Sequence, residues 1–318
     1  MKLLVAFLRL IRLLNLLFIA ATQVLFQYAI VQPILDQMDY QTLTNLQFSL
    51  LVLSSVLIAA AGYIINDYFD LNIDLINKPD KLVVEKHIRR RWAIFWHMGL
   101  SVLGILISLY LSWKTRAWWL GIANFGCVIA LWFYSTTFKK KMLSGNIIIS
   151  LMTAWVVLVI GLLSLQMMTL RVGEHGTLIV FGNLQSKLMR LTLLYAGFAF
   201  IISVIREVIK DMEDLPGDER YGCRTMPIVW GINASKVFSA TWLVVLIAAL
   251  VIVQVYVLPF QWWWPALYCT LLIILPLLII LRKLYKASTQ KDFHEISNWL
   301  KFVMLTGILS MIFFKIYL

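Results

Sequence analysis

Two short segments of this 318-residue chain contain ten of its 16 acidic residues. The ten are Asp67, Asp70, Asp74, Asp80, Glu207, Asp211, Glu213, Asp214, Asp218 and Glu219. Carboxylates this close along the chain repel one another, and a divalent cation relieves that repulsion. Mg²⁺ prefers oxygen ligands and usually binds one or two carboxylates together with substrate phosphates. The two clusters therefore predict two Mg²⁺ ions that hold a diphosphate.

The spacing within each cluster predicts how the side chains are presented. Asn66, Asp70 and Asp74 follow one another at intervals of four residues, which places them on one face of a helix. Asp214 and Asp218 repeat the interval of four, although Pro216 between them argues against a regular helix there. Lysines and arginines near the clusters, among which are Lys139, Lys140 and Arg206, would add positive charge for the diphosphate.

The elements that must position these residues are membrane helices. Hydrophobic residues make up 61% of the chain and charged residues 14%, against about 45–50% and about 25% in soluble domains. A spanning helix needs about 20 apolar residues, and that rule predicts an all-α protein with nine spans. The predicted spans are 13–32, 46–65, 92–112, 116–134, 146–168, 190–208, 236–257, 261–282 and 299–317. The first stretch is too long for a secretory signal.

The distribution of basic residues predicts the orientation. With the N-terminus in the cytoplasm, 21 of the 28 lysines and arginines fall on the cytoplasmic side and six on the other. The net charge of +12 thus reflects topology, and we expect no nucleic-acid partner. Four predicted crossings separate the two acidic clusters, so both would open into one cavity on the cytoplasmic side. We expect an integral protein of the plasma (inner) membrane.

The remaining residues predict little further chemistry. Residues 1–318 are expected to form one transmembrane domain, with cytoplasmic motif loops at about 66–91 and 209–235, and no obligate protein partner is evident. Three cysteines and four histidines lack metal-ligand spacing. The histidines are expected to be interfacial or solvated: His87, His97, His175 and His294.

At the acidic clusters the chain closely resembles the UbiA superfamily of intramembrane prenyltransferases. The first family motif, NDxxDxxxD, is present as Asn66, Asp67, Asp70 and Asp74, and the second, DxxDxxxD, as Asp211, Asp214 and Asp218. Further matching segments are Tyr134-Ser135, Lys139-Lys140, Gly145-Asn146 and Gly222 with Thr225-Met226-Pro227. The similarity covers nearly the whole chain.

The resemblance implies a fold, a reaction and a set of site residues. The implied fold is a bundle around a central cavity open to lipid, and the implied reaction is transfer of a prenyl group from a prenyl diphosphate. The implied Mg²⁺ ligands are Asn66, Asp70, Asp214 and Asp218. The implied catalytic residues are Asp70, Asp74, Asp214, Asp218, Tyr134 and Lys140, where Lys139 could take the place of Lys140. The expected substrate-binding residues are Asn66, Asp67, Asp211, Lys139, Arg206, Lys81 and Asn146.

The acceptor of the prenyl group stays open at this point. The second cluster looks most like that of geranylgeranylglyceryl phosphate geranylgeranyltransferases and of homogentisate-type enzymes. The resemblance therefore implies geranylgeranyl diphosphate as donor and a lipid precursor such as geranylgeranylglyceryl phosphate as acceptor, and the alternative acceptor is an aromatic acid (homogentisate, hydroxybenzoate or naphthoate). Lys81-Leu82 stands where the family often has Arg-Pro, which leaves the choice undecided. A dry site with aromatic residues such as Tyr63, Tyr68 or Trp132 would protect an allylic cation, although such residues commonly serve packing. A cation-coupled transporter is the alternative from another class.

Overall fold

The computed structural model describes residues 2–36, 43–77, 82–175 and 178–317, with the side chains of Lys2, 170–175 and 178–181 left aside. Within these ranges the chain is helical, and nine helices are long and apolar enough to cross a membrane. We call them the first to the ninth span: Leu13–Asp36, Asn45–Asn77, Arg90–Thr115, Trp118–Thr136, Ser144–Thr169, Gly182–Glu213, Gly231–Phe260, Trp263–Lys286 and Gln290–Tyr317. The prediction of an all-α protein with nine spans is confirmed.

Short elements complete the chain between the spans. A helix at Lys2–Leu10 precedes the first span, and two short helices, Leu215–Arg220 and Met226–Val229, follow the sixth. The first and eighth spans each contain a π-helical stretch, at Gln27–Val31 and Thr270–Ile274. The helix of the fifth span continues to His175, and that of the sixth begins at Leu178.

The chain divides into two compact units. The first consists of Met1–Phe138 with Trp155–Leu194, and the second of Lys139–Ala154 with Tyr195–Leu318. The prediction of one domain over residues 1–318 stays a prediction. The fifth and sixth spans each contribute residues to both units. By these ranges, the first acidic cluster belongs to the first unit and the second cluster to the second.

In the first unit, the N-terminal helix packs on the end of the second span. Its buried residues Ala6 and Leu10 share an apolar cluster with Ile64 of the second span and with Val84 and Ile88. The last two pair in a tight turn before the third span. The second and third spans approach closely where Gly104 faces Ile58. This packing fixes the helix that carries the first acidic cluster.

In the second unit, the sixth span packs against the seventh, eighth and ninth. Ile205 and Ile209 lie in one apolar cluster with Leu277 of the eighth span and Leu300 of the ninth. The seventh span is the least buried of the nine and exposes Val237 and Ile252, as expected for side chains that face lipid.

The structure corrects two predicted boundaries. The second span does not end at residue 65 but continues to Asn77, and the sixth runs to Glu213, so large parts of the predicted loops 66–91 and 209–235 are helical. A span predicted from hydropathy ends where the first acidic residues lower the mean hydropathy. The hydrogen bonds of a helix can continue past acidic residues until a residue such as proline interrupts them. The second helix ends two residues before Pro79, and the sixth shortly before Pro216.

Candidate functional site

The first acidic cluster contains a buried amide–carboxylate pair. Asn66 Nδ2 donates a hydrogen bond of 2.6 Å to Oδ2 of Asp70, and the two residues are 9% and 3% exposed. Within the described residues, Oδ1 of Asn66 is buried and has no hydrogen-bond partner. A buried polar atom without a partner is costly. This oxygen and the carboxylate beside it are the hard ligands that a cation such as Mg²⁺ prefers.

The rest of the first cluster lies along the same helix. Asp74 is half-buried one turn beyond Asp70, as the interval of four residues predicts. Asp67 points to a different face, where its Oδ1 accepts a bond of 2.7 Å from Nη2 of Arg12. Lys81 and Asp80, which were also assigned to this region, lie outside the described residues.

Arg12 is a residue that the sequence analysis missed. It connects the N-terminal helix to the first span with a left-handed backbone, φ 52°, and its guanidinium carbon lies 5.2 Å from the centre of the Tyr63 ring. Desolvation lowers the pKa of Arg12, but Asp67, Tyr63 and Asp70 together outweigh desolvation and raise that pKa above its usual range. The guanidinium is therefore charged. In the sequence, Arg12 counted only as one of the basic residues that predict the orientation in the membrane.

Aromatic rings surround the first cluster. The guanidinium of Arg90 lies 4.5 Å from the centre of the Tyr68 ring, so Tyr63 and Tyr68 each carry an arginine on one face. The Trp132 ring packs against Phe69 at 5.9 Å and against His97 at 5.4 Å between ring centres. The cation-stabilising role suggested for these aromatics stays a prediction.

His97 corrects the expectation that the histidines are interfacial or solvated. It is 5% exposed, and its Nδ1 lies 2.9 Å from the carbonyl oxygen of Ala61. The third span crosses the second here, and the imidazole ring fills the interface between them. The sequence carried no signal of this, because the partner is a backbone atom.

The second acidic cluster is held at the junction of the sixth span and the short helix that follows it. Asn146 Nδ2 donates a hydrogen bond of 2.8 Å to Oδ2 of Asp211. Asp211 lies close enough to Glu207 and Asp218 for their charges to repel it. Asp218 is buried, and its N–H donates to the carbonyl oxygen of Asp214 at 3.2 Å. The structure thus brings Asp211, Asp214, Asp218 and Asn146 together, and the roles assigned to them stay a prediction.

Cations accompany the second cluster. Glu207 Oε1 accepts bonds from Nη1 of Arg206 at 3.2 Å and from Nζ of Lys210 at 2.9 Å. Lys139 interacts electrostatically with Glu207 and with Asp211. The neighbouring Lys140 is exposed, and its carbonyl oxygen accepts the N–H of Arg224 at 2.8 Å. Of the two lysines, Lys139 is the one whose charge is shown to act on the second cluster.

The chain after the second cluster folds back onto it. Gly222 has φ +68°, a conformation that favours glycine. The next residue, Cys223, donates its N–H to the carbonyl oxygen of Asp218 at 2.9 Å. Thr225 is 2% exposed and begins the helix Met226–Val229. The matching segment Gly222–Pro227 therefore forms a backbone support for Asp218.

The sequence analysis also missed an interaction between the sixth span and the ninth span next to the second cluster. Glu213 is 6% exposed, and its Oε1 accepts a hydrogen bond of 2.8 Å from Nδ1 of His294 in the ninth span. The two residues are 81 positions apart, and Glu213 occupies a position of the second motif that the motif leaves unspecified. The ninth span is thereby tied to the residue before Asp214.

Tyr134 is a predicted catalytic residue outside the two acidic motifs. It is half-buried on the fourth span in the first unit, and its assigned role near the diphosphate stays a prediction. In the described part of the chain, no group of three or more histidine, cysteine or acidic side chains could by itself hold a metal ion. Any cation at these clusters would need oxygen ligands from amides, water or a bound phosphate as well.

Helices long and apolar enough to cross a membrane, which carry buried carboxylates and amides with arginines beside them, define a polytopic membrane protein with sites for anionic and cationic groups. The comparisons with known proteins then give the family. The model of the UbiA prenyltransferase family matches residues 37–305. The chain belongs to this family of prenyltransferases, as the motifs predicted.

Curated relatives agree with the family. A protein of Methanothermobacter thermautotrophicus named digeranylgeranylglyceryl phosphate synthase is 32% identical over 213 residues, which are 66% of each chain. The chain thus matches about two thirds of that relative's length. A protein of the same name from Korarchaeum cryptofilum is 30% identical over 264 residues, 80% of this chain and 81% of the relative.

Solved structures show the same fold. One, described as "Structural and mechanistic insights into the biosynthesis of Digeranylgeranylglyceryl phosphate synthase in membranes", has a TM-score of 0.59 and 22% identity, and covers 98% of this chain and 99% of its own. A UbiA homolog from Archaeoglobus fulgidus bound to GPP and Mg²⁺ has a TM-score of 0.55 and 16% identity, and covers 96% and 99%. These likenesses establish the fold of an integral membrane protein.

Proposed function

We propose that this prenyltransferase transfers a geranylgeranyl group from geranylgeranyl diphosphate to the hydroxyl group of geranylgeranylglyceryl phosphate, with Mg²⁺ as its cofactor. The names of the curated relatives support this donor and this acceptor. The Mg²⁺ and GPP bound in the Archaeoglobus fulgidus homolog support the cofactor and the class of donor. The observation within this chain that carries the proposal is the buried Asn66–Asp70 pair with its unpartnered amide oxygen.

The residues present fit Mg²⁺. Asn66 and Asp70 would hold one ion and Asp214 and Asp218 a second, each with oxygen atoms only. Neither pair alone supplies all the ligands of a Mg²⁺ ion. Mg²⁺ usually keeps several water ligands and also binds substrate phosphates, which would supply the remainder. When bound, the ion would neutralise the diphosphate as a Lewis acid.

Residues of both acidic clusters and the nearby cations would bind and orient the diphosphate of the donor. Lys139, Lys140 and Arg206 would contact the diphosphate, and Asp67 and Asp74 would complete the first cluster. Asn146 would keep Asp211 in place against the repulsion of its neighbours. The bond between carbon 1 of the prenyl chain and the diphosphate oxygen breaks, and its electron pair leaves with the diphosphate. The acceptor oxygen then forms an ether bond to carbon 1 and releases its proton.

A lipid acceptor is favoured over an aromatic one. The relatives compared above are named for a glycerophosphate lipid product and none for an aromatic product. A transporter that uses the same acids, the alternative from another class, would move cations across liposomes without releasing diphosphate. We propose the cytoplasmic side of the plasma membrane for the site, because the basic residues are concentrated on that predicted side.

The test measures transfer by purified protein. Labelled geranylgeranyl diphosphate is offered with geranylgeranylglyceryl phosphate or with homogentisate, hydroxybenzoate or naphthoate, with Mg²⁺ or with EDTA. We expect Mg²⁺-dependent lipid product and diphosphate release. Asp70→Ala and Asp214→Ala should each lower the rate at least about a thousandfold, since neutralising the leaving group accounts for several kcal/mol.

The matched control is Glu295→Ala, because Glu295 is an exposed acid outside both clusters whose carboxylate pairs with Lys283 of the second unit. It should retain the wild-type rate. Full transfer by either aspartate variant would refute the roles assigned to the clusters, and product formed only with an aromatic acceptor would refute the proposed acceptor.

A further inference from the structure

Two arginines of the first unit rest on tyrosine rings beside the first acidic cluster. Arg12 lies over Tyr63 at 5.2 Å and Arg90 over Tyr68 at 4.5 Å, measured from the guanidinium carbon to the ring centre. Both tyrosines belong to the second span and pack against the same apolar cluster. The proposed transfer reaction has so far used neither arginine.

The guanidinium of Arg12 is both oriented and accessible. One of its nitrogens, Nη2, donates to Asp67, and the side chain remains 37% exposed. A guanidinium has five N–H donors in a planar fork that matches the oxygens of a phosphate. Stacking on Tyr63 leaves the edges of this fork available, so Arg12 can bind an oxyanion while it keeps its bond to Asp67.

Arg90 is presented by a well-packed turn. Val83, Val84 and Ile88 are buried in the apolar cluster, and the N–H of Ile88 donates to the carbonyl oxygen of Val83 at 3.2 Å. Arg90 then begins the third span, where it is exposed. The backbone N–H of Arg90 donates to Oε1 of Glu85 in this turn at 3.4 Å, so the fold of the turn helps to place the side chain over Tyr68.

The proposed reaction has two anionic substrates, and the charges of Arg12 and Arg90 are available for the one that is not the diphosphate. In the proposed reaction the diphosphate already has Lys139, Lys140 and Arg206 of the second unit. The acceptor carries its own phosphate monoester, a second anion that needs donors. We propose that Arg12 and Arg90 bind the phosphate group of the lipid acceptor and so select a phosphorylated over a neutral glycerolipid; this inference rests on the proposed function.

The simpler explanation is that these arginines only anchor the protein at a membrane surface, as basic residues on the cytoplasmic side often do. The chain offers matched controls for that explanation. Arg9 lies on the N-terminal helix near Arg12, and Arg91 follows Arg90 on the third span. Both are exposed, and within the described residues neither pairs with a ring or an acid. An anchor would use all four, whereas a phosphate site uses only the two on tyrosines.

The first experiment measures binding without catalysis. In EDTA, geranylgeranylglyceryl phosphate should raise the melting temperature of the purified protein, and geranylgeranylglycerol, which lacks the phosphate, should raise it less. Arg12→Gln and Arg90→Gln should each remove most of the difference between the two lipids. Arg9→Gln and Arg91→Gln should leave it unchanged. An equal effect of all four substitutions would overturn the site.

The second experiment measures selectivity in the transfer reaction. Arg90→Gln should raise KM for geranylgeranylglyceryl phosphate about tenfold or more, because it removes a charged hydrogen bond to the phosphate. Arg12→Lys, which keeps the charge but not the planar fork, should raise the same KM by about the same factor. KM for geranylgeranyl diphosphate should stay within about twofold.

The outcomes separate this inference from the proposed function. Normal transfer by the wild type with no change in acceptor KM in the variants would overturn the phosphate site alone. A rise in KM for the donor in place of the acceptor would also overturn it. A wild type that transfers to no phosphorylated lipid would overturn the proposed function and, with it, this inference.

Discussion

The carboxylate of Asp211 is repelled by Glu207 and Asp218 and receives a hydrogen bond from Asn146. Sequence analysis assigned Asn146 to substrate binding, but its side-chain amide is directed at Asp211. In this position the amide works by fixing the carboxylate. Asn146 is therefore expected to affect the reaction through Asp211.

Replacing Asn146 by alanine tests this arrangement. Asn146→Ala should lower kcat/KM about tenfold, which corresponds to the loss of one hydrogen bond to a charged group, and should raise the Mg²⁺ concentration needed for half-maximal rate. The control is Asn298→Ala, since Asn298 is exposed on the ninth span. An unchanged Mg²⁺ requirement in Asn146→Ala would contradict the role given to this amide.

The sequence spacing predicted which residues of one motif lie close together, but it did not predict contacts between residues far apart along the chain. Asn66, Asp70, Asp214 and Asp218 share short, regular intervals that the sequence displays. Arg12 reaches Asp67 over 55 positions and Glu213 reaches His294 over 81. Because basic residues near spans already have a topological explanation, nothing in the sequence distinguished Arg12 from Arg9.

At the scale of elements, the helix of the second span positions the first cluster by packing on its neighbours. Gly62 lies one turn before Asn66, and a Cβ built on Gly62 would lie 2.9 Å from Cδ1 of Leu131 in the fourth span. The absence of a side chain thus lets the two helices approach at the level where the cluster begins.

A large side chain at this contact should disturb the cluster. Gly62→Leu must displace Leu131 or separate the helices, and we expect a loss of about 1–3 kcal/mol of stability, as is usual for overpacking, together with reduced transfer activity. Gly99→Leu on the third span is the control, because nothing lies within 4 Å of a Cβ there. The melting temperature reports the stability of each variant, and the transfer rate reports its activity. Equal stability of the two variants would argue against close packing at Gly62.

The number of spans followed from composition, but their ends did not. Apolar runs of about 20 residues located all nine helices. Their extensions, to Asn77 and to Glu213, carry acidic residues that a hydropathy criterion counts against a span. The helices continue there because each buries some apolar residues beyond the last apolar run, such as Ile73 and Met212.

At the scale of the whole molecule, the basic residues predict a cytoplasmic N-terminus. Lys141 lies on the predicted cytoplasmic side and Lys114 on the other, and both are exposed. Lys141→Cys should react with a membrane-impermeant maleimide only in inside-out vesicles, and Lys114→Cys only in right-side-out vesicles. The wild type is the control, since its three cysteines are buried. The opposite pattern would reverse the proposed orientation.

The length of the second span has a consequence for how the protein responds to its lipid surroundings. This helix has 33 residues and is thus about 50 Å long, whereas the hydrocarbon of a bilayer is about 30 Å thick. Because one continuous helix carries both the apolar residues and the pair Asn66 and Asp70, we expect the depth of this helix in the bilayer to set the height of the pair. Lipids with longer or shorter tails would change the tilt or the depth of the helix, and so change how far a phosphorylated lipid must rise to meet the carboxylates. Bilayer thickness would then control the rate of the reaction without altering any residue that takes part in it.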